Sequence, residues 1–372
     1  MKKKIIGIIT TAFVVCTALF SACNNRTPVL SQSIRALSPI VESEVNLAND
    51  DVAEFVQNYE KEYSILYYGK GDRFKMQGVT LNFEVDEPAR YYNVLVSRYP
   101  DMRNAQTQKT QQPTAHFDDL FVNTTYYWQV YANYRTQTLQ SETFSFTTAD
   151  TPRTIHIDGV SNTRDIGGKK TLDGKRIKQG MLYRAATLDG ITKKGKDQAK
   201  NVYGIKTEID LRRLDEVGNR TVSPIGRSVK FIHISAPYYV GDQNGIDNPD
   251  NHESIRRYMQ VFADESKYPI LFHCSAGRDR TGMAALFLQG LLGVSERDIF
   301  IDYEMSFFSL RGCMDGANVS LMVSFFTNAV HYIQNNFGTE NDSFARKCEL
   351  FLLHIGVTQQ EIASIRHILL EE

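Results

Sequence analysis

Several things are scarce in this chain, and each scarcity removes a class of protein. Five cysteines in 372 residues are too few to staple the fold, which excludes a disulfide scaffold. Charge of one sign is missing too. The 42 Lys and Arg balance 43 Asp and Glu to a net −1, so no whole-molecule field favours nucleic acid as a partner. Beyond the first 25 residues no apolar run is long enough to span a bilayer. The hydrophobic share of 42% and charged share of 23% are those of a folded chain, which argues against wholesale disorder. At ~100–200 residues per domain, the length predicts two or three domains.

The first segment reads as an address. Lys2, Lys3 and Lys4 precede an apolar run from Ile5 to Leu19, and Ser21-Ala22-Cys23 follows. A basic start, a short apolar core and small residues at the end form an export signal over residues 1–22. The cysteine after Ser-Ala resembles the lipobox of bacterial lipoproteins, which implies cleavage before Cys23 and a lipid on its thiol. Asn24 stands where an inner-membrane retention signal would place Asp. The resemblance therefore predicts an exported, lipid-anchored protein on the outer membrane or the periplasmic face. Residues 23–41, rich in Thr, Ser, Asn and Gln, read as a flexible tether. Export leaves Cys274, Cys313 and Cys348 as thiols, an odd number, so at least one is free.

Two textures follow. Val79–Val85, Tyr91–Ser97, Tyr126–Ala132 and Glu142–Thr148 are β-rich, and the first alternates cleanly. Short strands with no helical stretch between them predict an all-β sandwich over residues 42–150. Leu120-Phe-Val-Asn-Thr-Thr-Tyr126, followed by Val130 and Ala132, resembles the fibronectin type III signature. Trp128, the single tryptophan, reads as a core aromatic. Beyond Pro152 the runs Ile205–Leu211, Val229–Ile234 and Pro269–His273 alternate with helical stretches. That order predicts an α/β domain over 151–372 with a largely parallel central sheet wrapped by helices. Leu292-Gly-Val-Ser295 with Asp298, and Ile355-Gly-Val-Thr358 with Glu361, each mark a helix stop followed by a new N-cap.

The chemistry lies in Ile270-Leu-Phe-His-Cys-Ser-Ala-Gly-Arg-Asp-Arg-Thr-Gly282. An apolar strand delivers Cys274 into a tight loop that opens a helix. Converging backbone N–H groups and a helix N-terminus stabilise a thiolate. The same donors, contributed by Ser275, Ala276, Gly277, Arg278, Asp279 and Arg280, can cradle a phosphate over the sulfur. Arg280, six residues after Cys274, can grip two phosphate oxygens bidentately. No metal-ligand cluster is evident and the chemistry needs neither metal nor other cofactor.

This loop resembles the signature of the protein tyrosine phosphatase superfamily. Its Ala-Gly-basic-Asp-Arg-Thr-Gly form resembles the bacterial atypical dual-specificity and tyrosine phosphatases, some of them secreted. Asn162–Gly168, Tyr183–Ala186 and Gly204–Arg212 fit the same family. The resemblance implies a cysteinyl-phosphate mechanism with Cys274 as nucleophile and Arg280 as oxyanion clamp. His273 either orients the loop from below or acts as a base, and Thr281 is expected to hydrogen-bond the sulfur. The general acid is Asp279 or, as the rival, Asp242 on a loop before the nucleophile. Substrates would be phosphotyrosine proteins, with phosphoserine, phosphothreonine or phosphoinositides as further classes. Arg278 either adds charge for multiply phosphorylated substrates or faces solvent, and Arg212 and Arg213 either line the pocket mouth or pair with Asp215 and Glu216. Two other classes remain open: a catalytically silent phosphate-binding module, and a rhodanese-like sulfurtransferase.

Overall fold

The computed structural model describes residues 28–31, 33–60, 63–66, 76–236, 245–313 and 318–372. The signal segment, Cys23 and Asp242 lie outside them.

The N-terminal unit is two β-sheets sharing one core. Its elements are β1 (Val29–Leu30), β2 (Ile34–Ser38), β3 (Glu44–Val45), α1 (Asp50–Gln57), β4 (Val79–Val85), β5 (Tyr91–Ser97), β6 (Gln106–Thr110), β7 (Thr114–Phe117), β8 (Thr125–Asn133), β9 (Thr138–Gln140) and β10 (Phe144–Thr148). Strands β2, β4 and β7 form one antiparallel sheet. In the other, β8 pairs β5 along one edge and β9 and β10 along the opposite edge. Alternation along β8 sends Tyr126, Trp128, Val130 and Ala132 inward, as a half-buried strand must. Trp128 packs 4.7 Å from Phe144 between ring centroids, a core residue as its sequence context suggests. The Tyr126 hydroxyl accepts a 2.8 Å hydrogen bond from the Phe121 amide, closing the corner that opens this strand.

The tether expectation needs correction. Val29–Leu30 pairs with β9 in parallel, and Ile34–Ser38 pairs with β4, so these residues belong to the sheets. Polar composition suggested a free linker, but Ile34 is buried in the core, and strand pairing at the sheet edges satisfies the backbone.

An insertion between β3 and β4 leaves the sandwich altogether. Asn49 caps α1 by accepting from the Asp51 amide. Val52 and Phe55 then bury against Ile301, Met305 and Phe308 of the C-terminal unit. Below them the Tyr59 hydroxyl and the Ser64 hydroxyl each donate to one oxygen of buried Glu304, both at 2.7 Å. The two units are thus joined by an apolar contact with a hydrogen-bonded carboxylate beneath it.

The C-terminal unit has a five-stranded sheet. Its elements are β11 (Arg164–Asp165), β12 (Leu182–Ala185), α2 (Lys193–Asp197), β13 (Thr207–Asp210), α3 (Leu214–Val217), β14 (Lys230–His233), α4 (Pro249–Phe262), β15 (Ile270–His273), α5 (Asp279–Leu291), α6 (Glu296–Glu304), α7 (Val319–Asn336), α8 (Phe344–His354) and α9 (Gln359–Leu369). The order is β11-β12-β15-β13-β14, all parallel except β11. Every residue of β15 is buried, which explains a continuous apolar run in place of alternation. The predicted N-caps at Ser295 and Thr358 are both present. Ala185, His273 and Asp210 lie level across β12, β15 and β13. The loops following these three strands therefore converge at the C-terminal edge of the sheet, where α/β folds place ligands.

One buried charge cluster ties that edge together. Asp302 on α6 accepts from Arg164 at 2.9 Å, from Gln289 at 3.0 Å, from Lys169 at 3.4 Å and from Arg184. Burial alone would raise the Asp302 pKa, but Lys169, Arg184 and Arg164 outweigh it and hold the carboxyl well below its ordinary value. The carboxylate is therefore charged at neutral pH.

Two stability predictions follow from these contacts. Asp302→Asn leaves three cations without their shared counter-charge and should cost about 3–5 kcal/mol in denaturant unfolding. Phe55→Ala opens a cavity between the units and should cost about 3–5 kcal/mol, whereas Leu172→Ala at an exposed site should stay within about 0.5 kcal/mol.

Candidate active site

The loop from Cys274 to Arg278 is held from outside by its carbonyls. His273 Nδ1 lies 3.3 Å from the Cys274 carbonyl, and the Thr187 amide donates to that of Ser275 at 3.1 Å. Asn162 Nδ2 donates to Ala276 at 2.9 Å, and Arg184 donates to Gly277 at 2.8 Å. The Gly282 amide donates to the Arg278 carbonyl at 2.7 Å and starts the helix. Because each peptide is planar, a carbonyl fixed outward turns the next residue's N–H inward. Among the described residues no acceptor meets the amides of Ser275, Ala276 and Gly277. These are the donors of an anion nest. Gly277 is required here: its φ is +68°, and a Cβ would come 2.4 Å from the Ala185 carbonyl oxygen. Asn162 adopts a left-handed φ of 59° to reach the loop, a conformation Asn tolerates better than most residues.

Cys274 sits at the floor of this nest as a free thiol, buried at 2% exposure. Arg280, in the first turn of α5, is clasped by Glu216. Its two terminal nitrogens donate to the two carboxylate oxygens at 2.5 and 2.9 Å. Ser275 Oγ donates to the same carboxylate at 2.5 Å. The Arg280 hydrogen bond is the main cause that holds the Glu216 pKa down at about 2. The clasp fixes the guanidinium plane beside the nest and is intact at neutral pH.

His273 lies beneath the loop rather than in it. Its Nε2 is 2.9 Å from Glu208 and 3.9 Å from Asp210, all fully buried. Asp210 is in turn held by Arg212, whose other contact is Asp189 at 2.7 Å. Glu208, Asp210 and His273 bring carboxylate and imidazole atoms close together, but their contacts with one another and with Arg212 read as an ion-pair network. Burial by itself would lower the His273 pKa, yet Glu208 and Asp210 outweigh it and the net shift is upward.

Arg278 neither faces solvent nor projects into the nest. It is buried, with Nε and Nη2 on the two oxygens of Asp279 at 3.0 and 3.1 Å and Nη1 on the Gly312 carbonyl. Its guanidinium also lies over the Phe307 ring at 5.4 Å. Asp279 accepts a further 3.2 Å bond from the Tyr303 hydroxyl. Both oxygens of this candidate acid are therefore engaged. Asp242, the rival, lies outside the described residues. The Thr281 hydroxyl is buried without a partner among the described residues, so the expected hydrogen bond to the Cys274 sulfur is not formed. Arg213 pairs with Asp215 at 2.9 Å and approaches Glu216 at 3.7 Å, while Arg212 faces Asp210 and Asp189.

The structure thus gathers Cys274 through Arg280, His273 and Thr281 at one sheet edge. It adds residues that sequence reading left without a site role: Asn162, Arg184, Glu208, Glu216 and Asp302. Asn162, Arg184 and Glu208 stood inside three stretches quoted above, but nothing in their spacing showed which loop atoms they reach.

The chain is similar in sequence to known phosphatases. The model of the tyrosine phosphatase family matches residues 155–371. A candidate tyrosine-protein phosphatase of Cupriavidus necator is 28% identical over 40% of this chain and 61% of its own length. A tyrosine-protein phosphatase of Nostoc commune is 28% identical over 35% of this chain and 50% of its own. The chain thus spans about half to three fifths of these curated relatives. Among solved structures, the core catalytic domain of the PP-IP phosphatase SIW14 of S. cerevisiae has a TM-score of 0.28 and 14% identity, over 42% of this chain and 90% of that one. The match to the family model covers the whole sheet, the nest and the flanking helices, and the chain belongs to the tyrosine phosphatase family.

Proposed function

We propose that the chain hydrolyses phosphate monoesters, phosphotyrosine in proteins foremost, through a cysteinyl-phosphate intermediate. The observation that carries this reading is the nest: inward amides over Cys274, with the Arg280 guanidinium fixed at the rim by Glu216. The Cys274 sulfur, as a thiolate, attacks phosphorus, and the P–O bond to the leaving group breaks with its electron pair on oxygen. Loop amides and Arg280 stabilise the equatorial oxygens as charge moves. Once Arg278 releases one of its carboxylate oxygens, Asp279 takes up a proton there and passes it to the leaving oxygen, and Asp242 is the alternative donor. Water, giving its proton to the same carboxylate, then attacks the phosphocysteine; the S–P bond breaks with its electron pair on sulfur, yielding inorganic phosphate and the thiolate.

The same reading extends outward. Phosphoserine, phosphothreonine and phosphoinositides are further substrate classes. The N-terminal sandwich is of fibronectin type III kind, supported by its sheet pairing and by the Tyr126 corner. Export and lipid anchoring through Cys23 rest on the leader sequence. No helix among the described residues is long and apolar enough to cross a membrane.

Turnover of an aryl phosphate by full-length protein carrying Cys23→Ser tests the chemistry. Cys274→Ser in that background should abolish turnover. Asp279→Asn should slow poor leaving groups far more than good ones, by about 10²-fold or more if Asp279 is the acid. Phosphate binding without wild-type turnover would instead identify a silent reader, and a persulfide on Cys274 a sulfurtransferase.

A further inference from the structure

Glu208 has no part in the chemistry above, yet it is an ionisable group at zero exposure in the middle of the central sheet. One carboxylate oxygen faces His273 Nε2 at 2.9 Å, and the other has no hydrogen-bond partner among the described residues. Burying a carboxylate with half its acceptor capacity unused is costly. Packing alone would favour an apolar residue at a strand position buried on all sides. Something must repay that cost, and among the described residues the only side chain hydrogen-bonded to Glu208 is the histidine preceding the nucleophile.

The ring geometry shows what the carboxylate does. His273 Nδ1 faces the Cys274 carbonyl at 3.3 Å, an acceptor that carries no hydrogen. Its Nε2 faces a carboxylate. A neutral imidazole has one N–H and can serve one of these acceptors, whereas the imidazolium serves both. The other charged groups on this face are consistent with a cation there. Asp210 lies 3.9 Å from Nε2, level with His273 on β13. Arg212 binds Asp210, and His233 of β14 contacts the Arg212 carbonyl at 2.8 Å. From β12 the residue level with His273 is the uncharged Ala185.

We propose that Glu208 is a positioning residue for Cys274, acting through His273: its carboxylate keeps the ring a double donor, strapped to the nucleophile's own carbonyl. This rests on Cys274 being the reactive thiol, as proposed above. The strap does two things at once. It fixes the backbone from which the sulfur projects, and it holds a buried positive charge next to the sulfur, where a thiolate is favoured.

The sign of the effect separates this from a merely structural role. If His273 kept its charge without Glu208, deleting the carboxylate would remove a nearby anion and make the thiolate easier to form. If Glu208 maintains the charge, its loss makes the thiolate harder to form. The experiment is the pH dependence of Cys274 alkylation by iodoacetamide in the full-length chain, which needs no turnover and so reads separately from phosphatase activity. Glu208→Gln should move the alkylation midpoint upward by about one pH unit or more, and Glu208→Asp should restore most of the shift. In a His273→Asn background, Glu208→Gln should add no further upward shift. An unchanged or lowered midpoint in Glu208→Gln overturns the proposal, as does an equal upward shift without His273. A readout free of variants is the ring nitrogen chemical shift of His273 in the wild-type chain. An imidazolium at neutral pH is expected, and a neutral ring would refute the assignment even if the variants failed to fold.

Discussion

The site depends on a constraint placed on carbonyls, not on the sulfur. A short loop of amides collapses onto its own backbone unless its oxygens are pulled the other way, since N–H and C=O groups seek each other whenever water is excluded. Here each oxygen from Cys274 to Arg278 has an external or helical partner. Asn162 and Arg184 are themselves immobilised: Arg164 donates to the Asn162 side chain at 2.5 Å, and both arginines end on Asp302. The nest is therefore built from the outside inward, and the buried carboxylate on α6 is where the chain of contacts ends. A desolvated carboxylate with three cations is a poor source of net stability. Its value lies in the single geometry it allows.

That view explains which parts of the molecule could be read from sequence. Strand β15, the loop and the start of α5 are contiguous, so the motif from His273 to Gly282 carried its own strand, loop and helix context. Strands β4 and β5 match their predicted runs to the residue, because each alternates over a core that needs one face buried. What stayed hidden was long-range. Glu216 reads in sequence as a candidate neighbour-partner of Arg212 or Arg213 and proves to clasp Arg280, 64 residues away in sequence. Arg278 reads in sequence as either a substrate-facing or a solvent-facing charge, and its burial against Phe307 and Gly312 comes from contacts that no local pattern brings near. The tether was misread for a related reason: pairing at a sheet edge depends on the partner strand, and polar composition does not report it.

Helix α6 also gives the N-terminal unit a physical connection to the loop. Asp302 faces the arginines that hold the nest, and Glu304, two residues on, faces Tyr59 and Ser64 of the insertion. Ile301 and the following Met305 and Phe308 take the apolar side of α1. A helix pinned at one point by charge and at the next by hydrogen bonds and packing has little freedom to rotate. The sandwich is thus more than a spacer in front of an independent domain, since one of its insertions packs on the element that anchors the site.

The cations of the site share a further property. Arg280 is matched by Glu216, Arg278 by Asp279, Arg184 by Asp302 and His273 by Glu208. Unpaired, four positive charges in so small a volume would repel one another and distort the loop before any anion arrived. Paired, they leave the nest close to neutral and rigid. For the reaction proposed above, an arriving dianion would meet amides that need no reorganisation, together with a guanidinium whose orientation is already set by the carboxylate beside it. Preorganised dipoles in a water-poor pocket are the form of electrostatic stabilisation that costs least at the moment of reaction. The carboxylates around this loop are best understood as the means by which its positive charge can be concentrated at all.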